Sequence, residues 1–236
     1  MKQRYTTPDV SVDVVLLTLD EGVLKVALHE RERAPAKHSL ALPGGYVHVD
    51  EDDSLEAAAR RVLQEKTGLA PRYLEQLRTF GGPRRDARGW SVAVSHVALI
   101  PHAELSEAGA GVHPGVFQFH DVDALPALAF DHADQVQEAV QRVRNKASYS
   151  TLPCWLLPES FTLTQLQGIY EQIFGETVSR GTFRSRLGIK VGDLQPGDAA
   201  DEADILIATD EFQGGNQRPA RLFRVNRLSL FKRASW

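Results

Sequence analysis

Residues 42–69 constrain this chain more than any other stretch, because they dictate a turn, an acidic loop and a short helix in immediate succession. Gly44-Gly45 after Pro43 permits a tight turn with positive φ. Asp53, followed three residues later by Glu56, has the reciprocal spacing of a capping box, and acids suit a helix N-terminus. Leu55, Ala58, Ala59, Val62 and Leu63 then recur at helical spacing on one face. Gly68 stands where a left-handed cap would end the helix. The prediction is a helix over 54–67.

This stretch resembles the Nudix box, the signature of hydrolases that cleave a nucleoside diphosphate linked to another group. The family pattern runs from a glycine to a glutamate six residues on, as Gly45 and Glu51 stand here. It continues through an Arg-Glu step and a glutamate pair to a glycine and a hydrophobic residue. Aligned on Gly68-Leu69, Arg61 matches the arginine and Glu65 the first of the pair. Val62 and Lys66 stand where the other two glutamates belong.

Those departures bear on the chemistry. Pyrophosphate hydrolysis of this type needs Mg²⁺, a hard cation that takes several oxygen ligands. The box places carboxylates at i, i+3 and i+4, and here that trio reads Val62, Glu65, Lys66. An ammonium repels the ion it would have to help hold. The resemblance therefore implies a catalytically degenerate domain that requires no cofactor, with Mg²⁺ only if residual hydrolysis survives. Glu65 would carry any such activity. Its other reading is a surface acid or an ion-pair partner of Arg61 four residues earlier.

The length of 236 residues allows two modest domains. A net charge of −4 excludes a uniformly basic nucleic-acid coat, though not a local basic patch. A single cysteine, Cys154, excludes an internal disulfide framework and suits a reducing cytoplasm. No leader and no membrane-length apolar run is legible, so the expected location is cytoplasmic.

Strands are predicted over 10–18 and 23–29, joined by the turn Asp20-Glu21-Gly22. A charged loop over 29–36 follows, and the Nudix resemblance places its Arg31 and Arg33 near a ligand's phosphates. After the box helix, strands are expected over 73–80 and 90–100. Between them a glycine- and arginine-rich loop, 81–89, carries Arg85, Asp86 and Arg88. Guanidinium matches phosphate bidentately, so this loop reads either as a phosphate and ribose reader or as ordinary solubilising charge. A further strand is read over 116–120. Leu-Ala-Phe-Asp-His at 128–132 is again similar to Nudix domains that handle ADP-ribose-like molecules. A helix over 134–149 stacks Val136, Val140 and Val143 on one face.

Pro153 and Pro158 mark a boundary near residue 150, giving expected domains 1–150 and 151–236. Beyond it, an amphipathic helix over 161–174 with Thr164 as N-cap ends at Gly175. Ser179 opens a second helix, with Arg180, Thr182, Arg184 and Arg186 around the core residues Phe183 and Leu187, and Lys190 just after. Helix, glycine-containing turn and basic helix form the helix-turn-helix signal. An acidic, mobile-looking stretch over 193–204 precedes two short strands, 205–209 and 221–225, flanking a turn that carries Arg218. A hairpin in that place makes the motif winged. The alternative is an accessory or dimerisation domain whose arginines are surface charge.

A Nudix domain lacking carboxylates, joined to a winged helix, resembles the Nudix-related transcriptional regulators of NAD metabolism, the NrtR type. The resemblance rests on the box, on Thr79-Phe80-Gly81, on 128–132 and on Leu-Pro-Glu-x-Phe-Thr-Leu-Thr-Gln-Leu at 157–166. It implies an α+β chain: a Nudix α/β/α sandwich with a mixed sheet, then a smaller winged helix-turn-helix domain. It further implies a repressor that works as a homodimer on a palindromic operator in double-stranded DNA. ADP-ribose or a related nucleotide would release it. The implied ligand residues are Arg31, Arg33, Gly44, Gly45, Arg61, Glu65, Phe80, Arg85, Asp86 and Arg88. The DNA residues are Thr164, Arg180, Thr182, Arg184, Arg186, Lys190 and Arg218. The rival readings are a Mg²⁺-dependent ADP-ribose pyrophosphatase with ligands from the run 50–53, a Nudix-type regulator of sugar catabolism, and a scaffold whose second domain binds protein.

Overall fold

Valine and leucine run almost unbroken through β1 (Asp9–Asp20), and every residue from Val12 to Thr18 is buried. A strand buried on both faces lies inside a covered sheet. In the computed structural model, which describes residues 7–105, 117–190, 192, 194–201, 205–214 and 219–230, that strand is the middle of a mixed sheet. The order is β3 (Leu40–Ala41), β2 (Val23–Glu30), β1, β6 (Gly89–Leu99), β5 (Tyr73–Asp86). β4 (Gly44–Tyr46) also pairs with β1, and β7 (Phe117–Asp121) with β2. β1 and β6 run parallel, whereas β1–β4, β2–β3, β2–β7 and β5–β6 are antiparallel. At the β1–β2 turn both Glu21 and Gly22 have positive φ, which suits the twist of a two-residue hairpin.

Helix α1 (Leu55–Thr67) lies where the periodicity puts it, with Ala58, Ala59, Val62 and Leu63 buried. Gly68 closes it at φ 71°, in the left-handed region. The N-cap is Ser54 and not Asp53: its hydroxyl accepts from Ala57 N–H at 3.0 Å. Gly44 and Gly45 also differ from expectation. Neither has positive φ; they are strand residues paired with Asp13 and Val12. What they supply is room, since a Cβ on Gly44 would collide with the Asp13 carboxylate, and one on Gly45 would come within 3.1 Å of Val62 Cγ2. The arginine-rich segment 81–89 is likewise no open loop. β5 and β6 continue through it as far as Asp86 and Gly89, with a bulge between Gly82 and Asp86 that re-aims the side chains.

The chain forms two compact units, Met1–Thr18 with Lys25–Val140, and Leu19–Leu24 with Gln141–Trp236. Helix α2 (His132–Ala147) therefore begins in the first and ends in the second. In the second unit a 3₁₀ turn (Leu152–Leu156) places Leu152, Cys154 and Leu156 in the core. Burial pushes the Cys154 thiol far above its usual range. Helix α3 (Leu163–Phe174) starts from Thr162, not Thr164. Gln165 N–H donates to Thr162 Oγ1 at 3.1 Å, and Thr162 N–H donates to Gln165 Oε1 at 2.8 Å, a reciprocal capping box. The turn to α4 (Arg180–Leu187) is pinned by Glu171, whose carboxylate accepts from Val178 N–H and from Gln167 Nε2. Ser179 caps α4, as predicted.

The acidic stretch before the hairpin holds structure in its described part. Asp201 is buried and accepts from the Ile205 and Leu206 amides, the latter at 2.7 Å. Its carboxylate is committed to backbone amides, where the composition alone reads as solvation. β8 (Leu206–Gln213) and β9 (Ala220–Val225) then form the wing hairpin. Arg218 lies outside the described residues.

Candidate functional site

The first unit encloses a cavity of about 550 Å³, in the range of small-molecule sites. Its lining brings together Arg31, Arg33, Gly44, Gly45, Glu65, Arg85, Asp86 and Arg88, eight of the ten residues picked out for the ligand. Arg61 and Phe80 stand outside it. Phe80 is buried with the Arg78 guanidinium stacked over its ring at 4.6 Å. Arg61 instead organises the neighbouring loop. Its Nε and Nη2 donate to the two oxygens of Asp52, each at 2.8 Å, while Nη2 also reaches Tyr46 O at 3.0 Å and Nη1 reaches Glu65 at 3.2 Å. This fork ties the acidic loop to α1 and, with the His48 amide, holds the Asp52 carboxyl down at about 2.

Part of the lining belongs to a charge network that sequence reasoning did not assemble. Arg85, largely buried, donates from Nε to Asp131 Oδ2 at 2.8 Å and from Nη2 to Asp131 Oδ1 at 2.9 Å. Its Nη2 also lies 3.5 Å from Asp13 Oδ2, and Gln135 Nε2 donates to both carboxylates at 2.9 and 3.0 Å. His132 Nδ1 accepts from the Leu42 amide at 2.9 Å, which assigns the proton to Nε2, 3.7 Å from Asp13 Oδ2. Burial lowers the His132 pKa despite those acids, so the ring is neutral near pH 7. Burial alone would raise the Asp131 pKa, but the Arg85 and Gln135 hydrogen bonds hold it below the ordinary value. The acid and histidine of the segment 128–132 are legible as a signal in the sequence. Asp13 carried none, standing as one polar residue in an apolar strand.

Two aromatic faces complete the cavity. Phe130 holds φ 55°, a strained backbone for a non-glycine residue, and Arg31 stacks over its ring at 4.7 Å. Tyr46 is exposed, with the Arg88 guanidinium 5.6 Å above it. Arg88 is in turn held by buried Asp86 through both carboxylate oxygens at 3.1 Å.

These residues do not fit a Mg²⁺ ion. At the three box positions Val62 is buried beneath Gly45, Glu65 is shared with Arg61, and Lys66 lines the cavity. The run 50–53 offers no substitute: Asp52 is committed to Arg61, Glu51 to His48, and none of the four lines the cavity. Asp13, Asp131 and His132 bring ligand atoms within 4.8 Å of one another, but the cation their carboxylates hold is the Arg85 guanidinium.

In the second unit α4 buries Phe183 and Leu187, and the Phe183 ring centroid lies 5.7 Å from that of Tyr170. That leaves Arg180, Thr182 and Lys190 exposed, Arg184 and Arg186 half-buried, and Thr164 exposed at the start of α3. On the wing, Arg224 is exposed and pairs with Glu159 at 3.6 Å. Basic side chains thus occupy the helix and hairpin that a winged helix presents to a duplex.

Comparison with known proteins agrees with both halves. A NUDIX domain matches residues 7–142, and an NrtR DNA-binding winged helix domain matches residues 153–190. The ADPR responsive transcriptional repressor of Acinetobacter baylyi is 38% identical over 224 residues, 94% of this chain and 84% of that protein. The crystal structure of Shewanella oneidensis NrtR in complex with a 27mer DNA is 35% identical. It covers 92% of this chain and 93% of its own, with a TM-score of 0.80. An ADP-ribose pyrophosphatase of Methanocaldococcus jannaschii, 34% identical, matches 57% of this chain and 74% of its own length. The chain belongs to the NrtR family, in which a NUDIX domain is followed by a winged helix domain.

Proposed function

We propose that this chain is a transcriptional repressor of NAD metabolism genes, whose NUDIX cavity takes ADP-ribose or a related nucleotide and whose winged helix is thereby released from DNA. One observation carries the reading: the similarity to an ADP-ribose-responsive repressor runs through both domains at 94% of the chain. The pyrophosphatase match covers 57% of the chain, and the box positions do not assemble a metal cluster, which disfavours the hydrolase.

The site geometry supports roles for single residues. Arg31, Arg33, Arg85 and Arg88 surround space for a diphosphate, Gly44 and Gly45 let it approach the backbone, and Phe130 and Tyr46 offer faces for a base. Arg61 and Phe80 act from outside the lining, by holding the loop and the strand. Arg180, Thr182, Arg184, Arg186 and Lys190 meet the duplex, with Thr164 and Arg218 at its phosphates. The ligand domain is taken as 1–150 and the DNA domain as 151–236. A cytoplasmic homodimer on a palindromic operator, with half-sites about 34–36 Å apart, completes the reading. The effector acts by linkage: it releases DNA only by the margin with which it prefers the DNA-incompetent conformation.

The test is capture of sheared genomic DNA by the full chain against excess nonspecific competitor, with and without ADP-ribose, followed by sequencing. A few palindromic sites near NAD-synthesis genes, lost on adding ADP-ribose, are expected. Sites near sugar-catabolism genes would reassign the regulon, and no enrichment at all would remove the repressor.

A further inference from the structure

The cavity wall carries a cation at one of the box positions. Lys66 lines it one residue from Glu65, on the last turn of α1, at a box position where the family pattern has a glutamate. Three of the four arginines around the space are already engaged, and the fourth, Arg33, is exposed. Arg85 is held by Asp131 and Asp13, Arg88 by Asp86, and Arg31 donates to Pro35 O and stacks on Phe130. Lys66 has no acidic partner among the described residues. Its charge is felt by another lining residue: burial lowers the pKa of His29, and the Lys66 charge pushes it the same way.

Resting on the effector reading above, we propose that the Lys66 ammonium replaces the divalent cation of a hydrolytic site and anchors the effector's diphosphate directly, so that nucleotide binding is independent of metal. The chemistry follows from what an ammonium has and lacks. It offers three donors and one charge on a flexible stem, enough for charge-assisted hydrogen bonds to phosphate oxygens. It has no coordination position in which a water could be activated or a leaving oxygen polarised. Val62, buried beneath Gly45, removes a second ligand, and Arg61 draws Glu65 toward itself. The same substitution that removes the metal supplies the anchor. A ligand held this way is retained intact.

Calorimetric titration of the full chain with ADP-ribose, and separately with inorganic pyrophosphate, in excess EDTA and again in excess Mg²⁺, tests this. The unmodified chain should bind both probes equally well in either buffer. Lys66→Met should weaken both by about tenfold or more, the size expected for one charged hydrogen-bond partner. Lys66→Glu should bind worse than Lys66→Met in EDTA. Circular dichroism of the variants should be unchanged, since Lys66 lies outside the core. ADP-ribose bound as tightly by Lys66→Met as by the unmodified chain, or bound by the unmodified chain only with Mg²⁺, would overturn the Lys66 assignment and leave the effector standing. Pyrophosphate bound in EDTA in a Lys66-dependent way, with ADP-ribose ignored, would keep the anchor and remove the effector.

Discussion

Arg85 on β5 and Asp131 at the start of α2 face each other through two parallel hydrogen bonds, 2.8 and 2.9 Å long, with both side chains largely buried. Such a pair joins the cavity wall to the N-terminus of the helix that runs on into the second unit. Removing one partner leaves a buried charge uncompensated, so Asp131→Ala is expected to cost about 3 kcal/mol. Urea unfolding should show a lower midpoint at unchanged slope. A loss below about 1 kcal/mol would mean that Asp13 alone satisfies the guanidinium.

Asp52 gives the loop a pH signature. Its folded-state pKa, about 2, lies below the ordinary 3.8 because Arg61 holds the ionised form. The stabilisation is therefore complete above about pH 4 and is lost as pH falls toward 2. Unfolding midpoints of the unmodified chain and of Asp52→Asn should differ at neutral pH and converge in acid. A difference that persists unchanged at pH 2 would contradict the assignment.

Gly44 is required for space and not for an unusual dihedral. Gly44→Ala drives a methyl into the Asp13 carboxylate and toward Val12 O, 3.1 Å away, neither of which is the end of a flexible side chain. The expected cost is about 1–3 kcal/mol, typical of overpacking. Gly45→Ala meets one methyl of Val62 at 3.1 Å and should cost less. Thermal unfolding of the two variants orders them.

Substitutions at Thr162 and Thr164 are expected to separate folding from recognition. Thr162→Ala removes the α3 capping box and should lower stability by about 1 kcal/mol. Thr164→Ala removes an exposed hydroxyl, so unfolding midpoints should hardly move while DNA affinity falls. A Thr164→Ala protein that binds DNA normally would take that residue out of the interface.

Periodic elements were legible in the sequence and pairings distant in sequence were not. α1 and α4 announce themselves through apolar spacing, Gly68 and Ser179. The α3 cap was legible too, in Thr162 and Gln165, but a second threonine two residues on fits the same pattern. Asp53 competed with Ser54 in the same way. β3 and β4 are two and three residues long, too short to alternate. Within the site, the box and the arginines could be named in advance because they are contiguous. The linkage of Asp13, Arg85 and Asp131 could not, since only the register of β1, β5 and β6 and the start of α2 brings them together. Arg61 and Asp52 sit nine residues apart, outside any helical spacing, so their fork was equally invisible.

Val62 makes a metal-binding carboxylate hard to place at its box position. The position that would carry a carboxylate is 1% exposed, filled by hydrocarbon and packed with Val12, Val14 and Leu63. A glutamate returned there would meet an apolar slot before it met any ion, with a penalty of a few kcal/mol for an unpartnered polar group. Lys66, by contrast, can be exchanged without disturbing the interior. The ancestry of the site is therefore asymmetric: the lysine is a setting that selection can still adjust, while the valine works as a ratchet. A lineage that has packed that slot can return a carboxylate there only by passing through a less stable protein.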